Sequence, residues 1–211
     1  KDYSEFVNIG AKPESTLLRQ VFTADEIEFL YQHLDIPYVD TLLLMIFHGL
    51  RPTELITIKT KDVFLDQNYF VCGIKTEAGK HRTIPISKLA RKFVEHWYAK
   101  STAENSEWLI SNRNGLQMKY TNYNRDIMQK VLSSLDAHHT LYDARHSFAT
   151  YMDKVNANKL CTQKIMGHSP KSLIDKVYTH KTLEDLQFEI DRLETLFDTQ
   201  KLLDIVQKKY R

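Results

Sequence analysis

The main strand-like stretch of this chain is "VFLDQNYFVCGIKTEAGKHRTIPI", residues 63–86. Apolar and β-branched residues run through 63–65, 69–74 and 81–86, with turn residues between them. Three short runs so closely spaced leave no room for crossover helices, so they predict one small antiparallel sheet. On both sides the pattern is helical. "FTADEIEFL" starts a helix with Thr23 as cap, Glu26 three residues on, and Ile27 and Leu30 behind. Pro37 is expected to open a second, apolar helix through Phe47, which stops at "HGLRPTEL" where Gly49 and Pro52 bracket Arg51. A short helix from Thr53 follows. Beyond the strands, helix is expected over 87–100, a small hairpin around Asn114-Gly115, and helix almost throughout from 120. The expected fold class is mainly α with a small antiparallel β-sheet, an α+β arrangement.

The longest apolar run, "TLLLMIF" at 41–47, is far short of a membrane span and reads as a buried helix. No signal peptide is evident. Cys72 and Cys161 stand far apart in no metal-like spacing, so a reducing cytoplasm is the expected setting. Residues 1–20, with Gly10 and Pro13, read as a linker and the remnant of a missing N-terminal domain. Residues 21–180 form the main domain. The tail, 181–211, opens on a capping box of Thr182 and Asp185. Leu183, Leu186, Ile190, Leu193 and Phe197 then make an apolar stripe. Such a stripe either packs back on its own domain or docks on a neighbour.

Charge is uneven. Net charge is −4 over residues 1–60, +7 over 61–180 and −1 over 181–211. A basic middle between acidic ends points to a polyanionic partner, although a solvated lysine-rich face has the same composition.

Four places carry candidate chemistry. Arg51 in "GLRPTEL" is pinned at a helix junction, where the plainest alternative is a surface pair with Glu54. Lys75 ends one strand in "GIKTEAGKHRTIPI", and a hairpin tip can carry it into a groove or leave it an ordinary charged turn. In "LYDARHSFATYM" a helix would put Leu141, Ala144, Phe148, Tyr151, Met152 and Val155 on one broad apolar face. Arg145 stands at its margin with no carboxylate four residues away in either direction. A planar, permanently charged guanidinium there wants an anion, and a phosphate suits it. Finally, Gly167 ends a helix, His168 follows, and Tyr178 lies about one short helix further on.

In this order, Arg in "GLRPTEL", Lys in a β-hairpin, Arg in "ARHSFAT", then "GH" and "VYTH" closely resemble the tyrosine recombinases, the phage and transposon integrase family. The resemblance runs from about residue 21 to 180. It implies that Tyr178 is the nucleophile, that Arg51 and Arg145 clamp the scissile phosphate, and that Glu54 steadies the site. It implies that Lys75 is the hairpin lysine and His168 a phosphate contact. One position departs: Tyr142 stands where the family usually has His. A tyrosine can donate a hydrogen bond to phosphate but is a poor base near neutral pH, its pKa being about 10. His139, three residues further back, is the alternative at that role. Lys80, Arg82, Lys88, Arg91 and Lys92 are expected to contact DNA, since residues 75–92 hold six Lys/Arg and one Glu.

The activity so implied is metal-free and cofactor-free. It is site-specific cutting and rejoining of double-stranded DNA through a covalent 3′-phosphotyrosine, in integration or excision of a mobile element. A homo-tetramer on DNA is implied, with the tail helix passed in trans, together with accessory directionality or host factors and no membrane. A bacterial or phage setting at the nucleoid goes with it. Two rivals are a type IB topoisomerase-like DNA-relaxing enzyme and a non-catalytic helical DNA-binding regulator.

Overall fold

The computed structural model describes residues 20–73, 79–135, 138–168 and 181–210. Helix α1 (Ala24–Gln32) opens on the expected box: Thr23 Oγ1 accepts from the Glu26 N–H, and the Glu26 carboxylate accepts from the Thr23 N–H. Helix α2 (Val39–His48) is buried along its whole length, so it reads as hydrophobic all round and forms the centre of the core. It begins two residues later than Pro37 suggests, because Tyr38 takes a left-handed backbone (φ 67°) with its hydroxyl on the Ser111 carbonyl. Helix α3 (Pro52–Leu55) is one turn long, with Pro52 at its first position.

The sheet is a three-stranded antiparallel meander, β1 (Val63–Phe64), β2 (Tyr69–Cys72) and β3 (Arg82–Pro85). Its register pairs Phe70 with Ile84 and Cys72 with Arg82. Helix α4 (Arg91–Ala103) starts four residues later than expected, after a turn at 88–90. The segment at Asn114-Gly115 closes on a single bridge, Ser111 to Gln117, rather than on a true hairpin. The Asn112 side chain turns that loop by accepting from the N–H groups of Asn114 and Leu116. Helix α5 (Tyr120–Asn122) runs through a π-helical stretch (Tyr123–Met128) into α6 (Gln129–Leu132).

Helix α7 (Leu141–Lys154) buries the predicted face of Leu141, Ala144, Phe148, Tyr151, Met152 and Val155, chiefly against α2. Helix α8 (Lys159–Met166) is capped by Asn158 and ends at Gly167 in the left-handed region. The tail holds α9 (Leu183–Asp191), a 3-10 turn (Arg192–Leu196) and α10 (Thr199–Lys209). Its stripe packs back on its own chain: Leu186, Ile190 and Leu193 are buried, and Phe197 meets Phe47 and Tyr151 edge-on. Helix α9 lies against β3 and α8, and α10 against α1. No helix among the described residues is long and apolar enough to cross a membrane.

Candidate active site

The site is built where three chain reversals meet. Helix α2 terminates at Gly49, whose φ of 62° suits glycine. A Cβ there would stand 2.5 Å from the Phe148 ring, so the absence of that atom lets α7 sit close against the end of α2. The chain then turns through Arg51 into α3. Glu54, at the third position of α3, accepts the Arg51 backbone N–H at 2.9 Å and its Nη1 at 2.7 Å. This pairing makes the helix start and fixes the arginine at once.

Two further arginines reach the same carboxylate from distant parts of the chain. Arg82, at the start of β3, donates Nη1 to Glu54 Oε1 at 3.0 Å and Nη2 to Oε2 at 2.8 Å, a bidentate fork. Arg145, on α7, has Nη1 3.9 Å from Oε2. Its guanidinium also donates to the Gly49 carbonyl at 2.5 Å and to the Met166 carbonyl at 2.7 Å. Those two acceptors are the C-terminal ends of α2 and α8, where a cation is favoured. Arg82 Nε takes the neighbouring carbonyl, Ile165, at 2.7 Å.

One buried carboxylate therefore faces three guanidiniums, leaving a surplus of about two positive charges. Burial pushes the Glu54 carboxyl up, but the hydrogen bonds and charge of Arg82, then Arg51, outweigh it and hold it below the usual carboxylate range. Burial lowers Arg145, and the like charge of Arg51 lowers it further, to about 10, so it stays charged at neutral pH. Arg51 is the arginine that opens outward, its side chain 23% exposed against 9% for Arg145 and 4% for Arg82. Chemically, such a cluster binds an anion at the Arg51 side while its carboxylate keeps the arginines from repelling one another.

A family model described as the phage integrase family matches residues 20–185, most of the chain and all of this cluster. The chain belongs to the phage integrase family. Among curated relatives, the integrase-family chain is 26% identical to the tyrosine recombinase XerA of Pyrococcus horikoshii, over 93% of this chain and 71% of that protein. It is also 26% identical to the tyrosine recombinase XerC of Proteus mirabilis, over 65% of this chain and 45% of that protein. It thus spans roughly half to three quarters of the length of these relatives. Its fold is that of the Tn1549 transposon integrase solved with transposon right end DNA, with TM-score 0.63, 20% identity, and 86% and 68% of the two chains covered. The XerA recombinase crystal structure matches with TM-score 0.61 and 17% identity, over 86% of this chain and 66% of that one. The mainly α fold with a small antiparallel sheet, expected from the sequence, is the fold found.

The other site residues of this integrase-family chain are placed as follows. Arg51, Glu54 and Arg145 come together. His168 directly follows Gly167, is exposed, and its N–H closes α8 on the Gln163 carbonyl at 2.9 Å. Tyr142 stands half-exposed on α7, three residues before Arg145. Tyr178 and Lys75 lie outside the described residues. His139 belongs elsewhere: it is buried, stacked on Phe22 at 3.9 Å, and hydrogen-bonded by Nε2 to Glu26 Oε1 at 2.9 Å.

Among the residues expected on DNA, Arg82 is corrected. It is buried inside the cluster, with its charge on Glu54, and has no surface to offer a duplex. Lys80 is exposed. Lys88 pairs with Glu194 of the tail at 3.1 Å. Arg91 pairs with Glu95 at 2.8 Å and also donates to Asn68, and Lys92 pairs with the same Glu95 at 2.9 Å. The patch is thus partly neutralised by carboxylates that a count over residues 75–92 does not capture. Local pattern gave no signal for the role of Arg82, because its partner lies 28 residues away in sequence.

Proposed function

We propose that this chain is the catalytic part of a site-specific DNA recombinase that cuts and rejoins DNA through a covalent phosphotyrosine. The observation that carries the reading is the cluster of Arg51, Arg82 and Arg145 on Glu54, a preorganised anion site at a helix junction with about two surplus charges. In this reading Tyr178 attacks the scissile phosphorus. The phosphorus–tyrosine bond forms as the bond to the 5′-oxygen breaks, the phenol proton is released, and Lys75 protonates the departing oxygen. Charge on the non-bridging oxygens is met by Arg51, Arg145 and His168, and Tyr142 donates a hydrogen bond there. The phosphotyrosine keeps the bond energy, so the freed 5′-hydroxyl of a partner duplex can reverse the step without ATP.

The Tn1549 integrase, whose fold this chain shares, was solved in complex with transposon right end DNA, which supports DNA as the partner; in this reading it is double-stranded. Lys80, Lys88, Arg91 and Lys92 supply its salt-dependent, sequence-blind grip once their carboxylate partners yield to phosphate. The same reading includes four protomers on DNA, exchange of the tail between them, accessory directionality factors, and a nucleoid setting in a bacterium or phage.

The test is the adduct. Wild type incubated with flanking DNA of its element should give a protein–DNA species that survives denaturing gels, and mapping should place the phosphate on Tyr178. Tyr178→Phe should bind the DNA normally and form none. An adduct that persists in that variant names another nucleophile and overturns the assignment. Relaxation of supercoils by a monomer, without strand exchange, would turn the reading to a topoisomerase.

A further inference from the structure

Arg82 cannot meet a substrate, yet it is the most completely engaged of the three arginines. Its Nη1 donates to Glu54 Oε1 and to the Gly79 carbonyl at 3.0 Å each, its Nη2 to Glu54 Oε2, and its Nε to the Ile165 carbonyl. Four of the five N–H groups of a guanidinium are so used. Arg51, in contrast, uses one guanidinium N–H among the described residues, on Glu54 Oε1. The same carboxylate serves both, and Arg145 waits 3.9 Å away.

The backbone around Arg82 is shaped to admit it. A Cβ on Gly167 would stand 2.9 Å from Gly79 Cα and 3.0 Å from Arg82 Cδ, and a Cβ on Gly73 would stand 1.7 Å from the Gly79 carbonyl oxygen. Gly73 and Gly167 both hold positive φ, 103° and 67°. Gly167 therefore lets the end of α8 lie against Gly79 and the Arg82 stem, and Gly73 leaves room for Gly79 and the Arg82 guanidinium on its way to Glu54.

We propose that Arg82 is a positioning residue of the anion site: it occupies the Glu54 carboxylate so that Arg51 and Arg145 keep their charge for the substrate phosphate. The proposal rests on reading the cluster as a phosphate site. Without Arg82 the Glu54 charge falls to its two remaining neighbours. Arg51 is drawn inward, Arg145 is pulled off the Gly49 and Met166 carbonyls, and the surplus drops from two charges to one. The same logic gives a rescue: neutralising Glu54 in the variant lacking Arg82 restores the surplus.

Inorganic phosphate is the probe, titrated into the whole chain while the Nε–Hε signals of Arg51 and Arg145 are followed by NMR. Wild type should show saturable shifts at both. Arg82→Gln should bind on the order of 10-fold more weakly, a mid-range coupling for residues in one salt-bridge network. Arg82→Gln with Glu54→Gln should return to within about 3-fold of wild type, which a merely structural Arg82 would not permit. If Arg82→Gln does not fold, the double variant and Arg82→Lys carry the comparison, with the double variant binding the better of the two. Unchanged phosphate binding in folded Arg82→Gln, or a double variant weaker than Arg82→Lys or Arg82→Gln, overturns the proposal. So does wild type that shows no phosphate shift at either arginine. A wild-type chain that binds phosphate there, yet forms no tyrosine adduct on DNA, sinks the recombinase reading and leaves the role of Arg82 standing.

Discussion

Two buried carboxylates flank the central helix and live under opposite conditions. Asp40, in the first turn of α2, is 4% exposed, and Glu54, six residues past its end, is 1% exposed. Asp40 Oδ2 accepts from Trp97 Nε1 and from the Tyr210 hydroxyl, each at 2.9 Å, and no cation among the described residues pairs with it. Burial pushes its carboxyl up to about 6, against the pull of those two neutral donors. Glu54 is surrounded by guanidiniums and is held low instead. Equal burial therefore does not make equal sites. Neutral donors turn a carboxylate into a latch, here tying α4 and the end of the tail to the core. A surplus of cations turns one into the counter-ion of an anion site.

That contrast can be broken first by stability. Glu54→Ala strands three guanidiniums at the cluster and should cost about 3–5 kcal/mol in chemical unfolding, the usual loss when one partner of a buried charge network is removed. A cost near that of an ordinary surface substitution would show that water, not Glu54, compensates the arginines. Next comes reactivity. Arg51→Lys or Arg145→Lys keeps charge but loses the planar fork, and adduct formation should fall by about 10²–10³. Asp40→Asn, at the latch end, should leave the rate within about 3-fold, since its hydrogen bonds serve only packing. Equal losses at both ends would erase the distinction.

The pH dependence sharpens the same comparison, because the two signs differ. The folded value of Asp40 is raised, so its favourable contribution is whole below the unfolded value near 4 and is lost as pH climbs towards about 6. Asp40→Asn should remove that decline, worth up to about 3 kcal/mol for a shift of about two units. The folded value of Glu54 is lowered, so its contribution is present above the unfolded carboxylate range and is lost as pH falls through the folded value. Glu54→Gln should flatten the acid limb of urea midpoints measured against pH. The smallest effect expected is at the latch itself: Tyr210→Phe removes one donor to a buried carboxylate and should cost about 1–2 kcal/mol in the same unfolding experiment.

Much of the architecture was legible because it rests on neighbours in sequence. The Thr23–Glu26 and Thr182–Asp185 boxes, the strand runs and the apolar face of α7 are all settled within a turn or two of chain. The Arg51–Glu54 pair is legible for the same reason, being three residues apart. The start of α2 departs from its local signal. Pro37 signals a helix, but Tyr38 turns left-handed to reach Ser111, and α2 waits until Val39.

The sequence by itself determined the helical frame, the single sheet, and the ordered arginine, glutamate and histidine positions that mark the family. Tertiary structure alone decided which charges meet. Neither the fourth residue before Arg145 nor the fourth after it is a carboxylate, yet Glu54, 91 residues earlier, stands 3.9 Å from it, with the carbonyl ends of α2 and α8 closer still. Arg82 looked like a groove cation and is a buried counter-charge. The tail stripe was compatible with its own core or a neighbour's, and in this structure it covers its own. The physical reason is range. Caps, turns and periodicity act over one to four residues and are written locally. A guanidinium reaches several ångströms through space, and its partner is whatever backbone the packing of α2, α7, α8 and β3 brings within that reach.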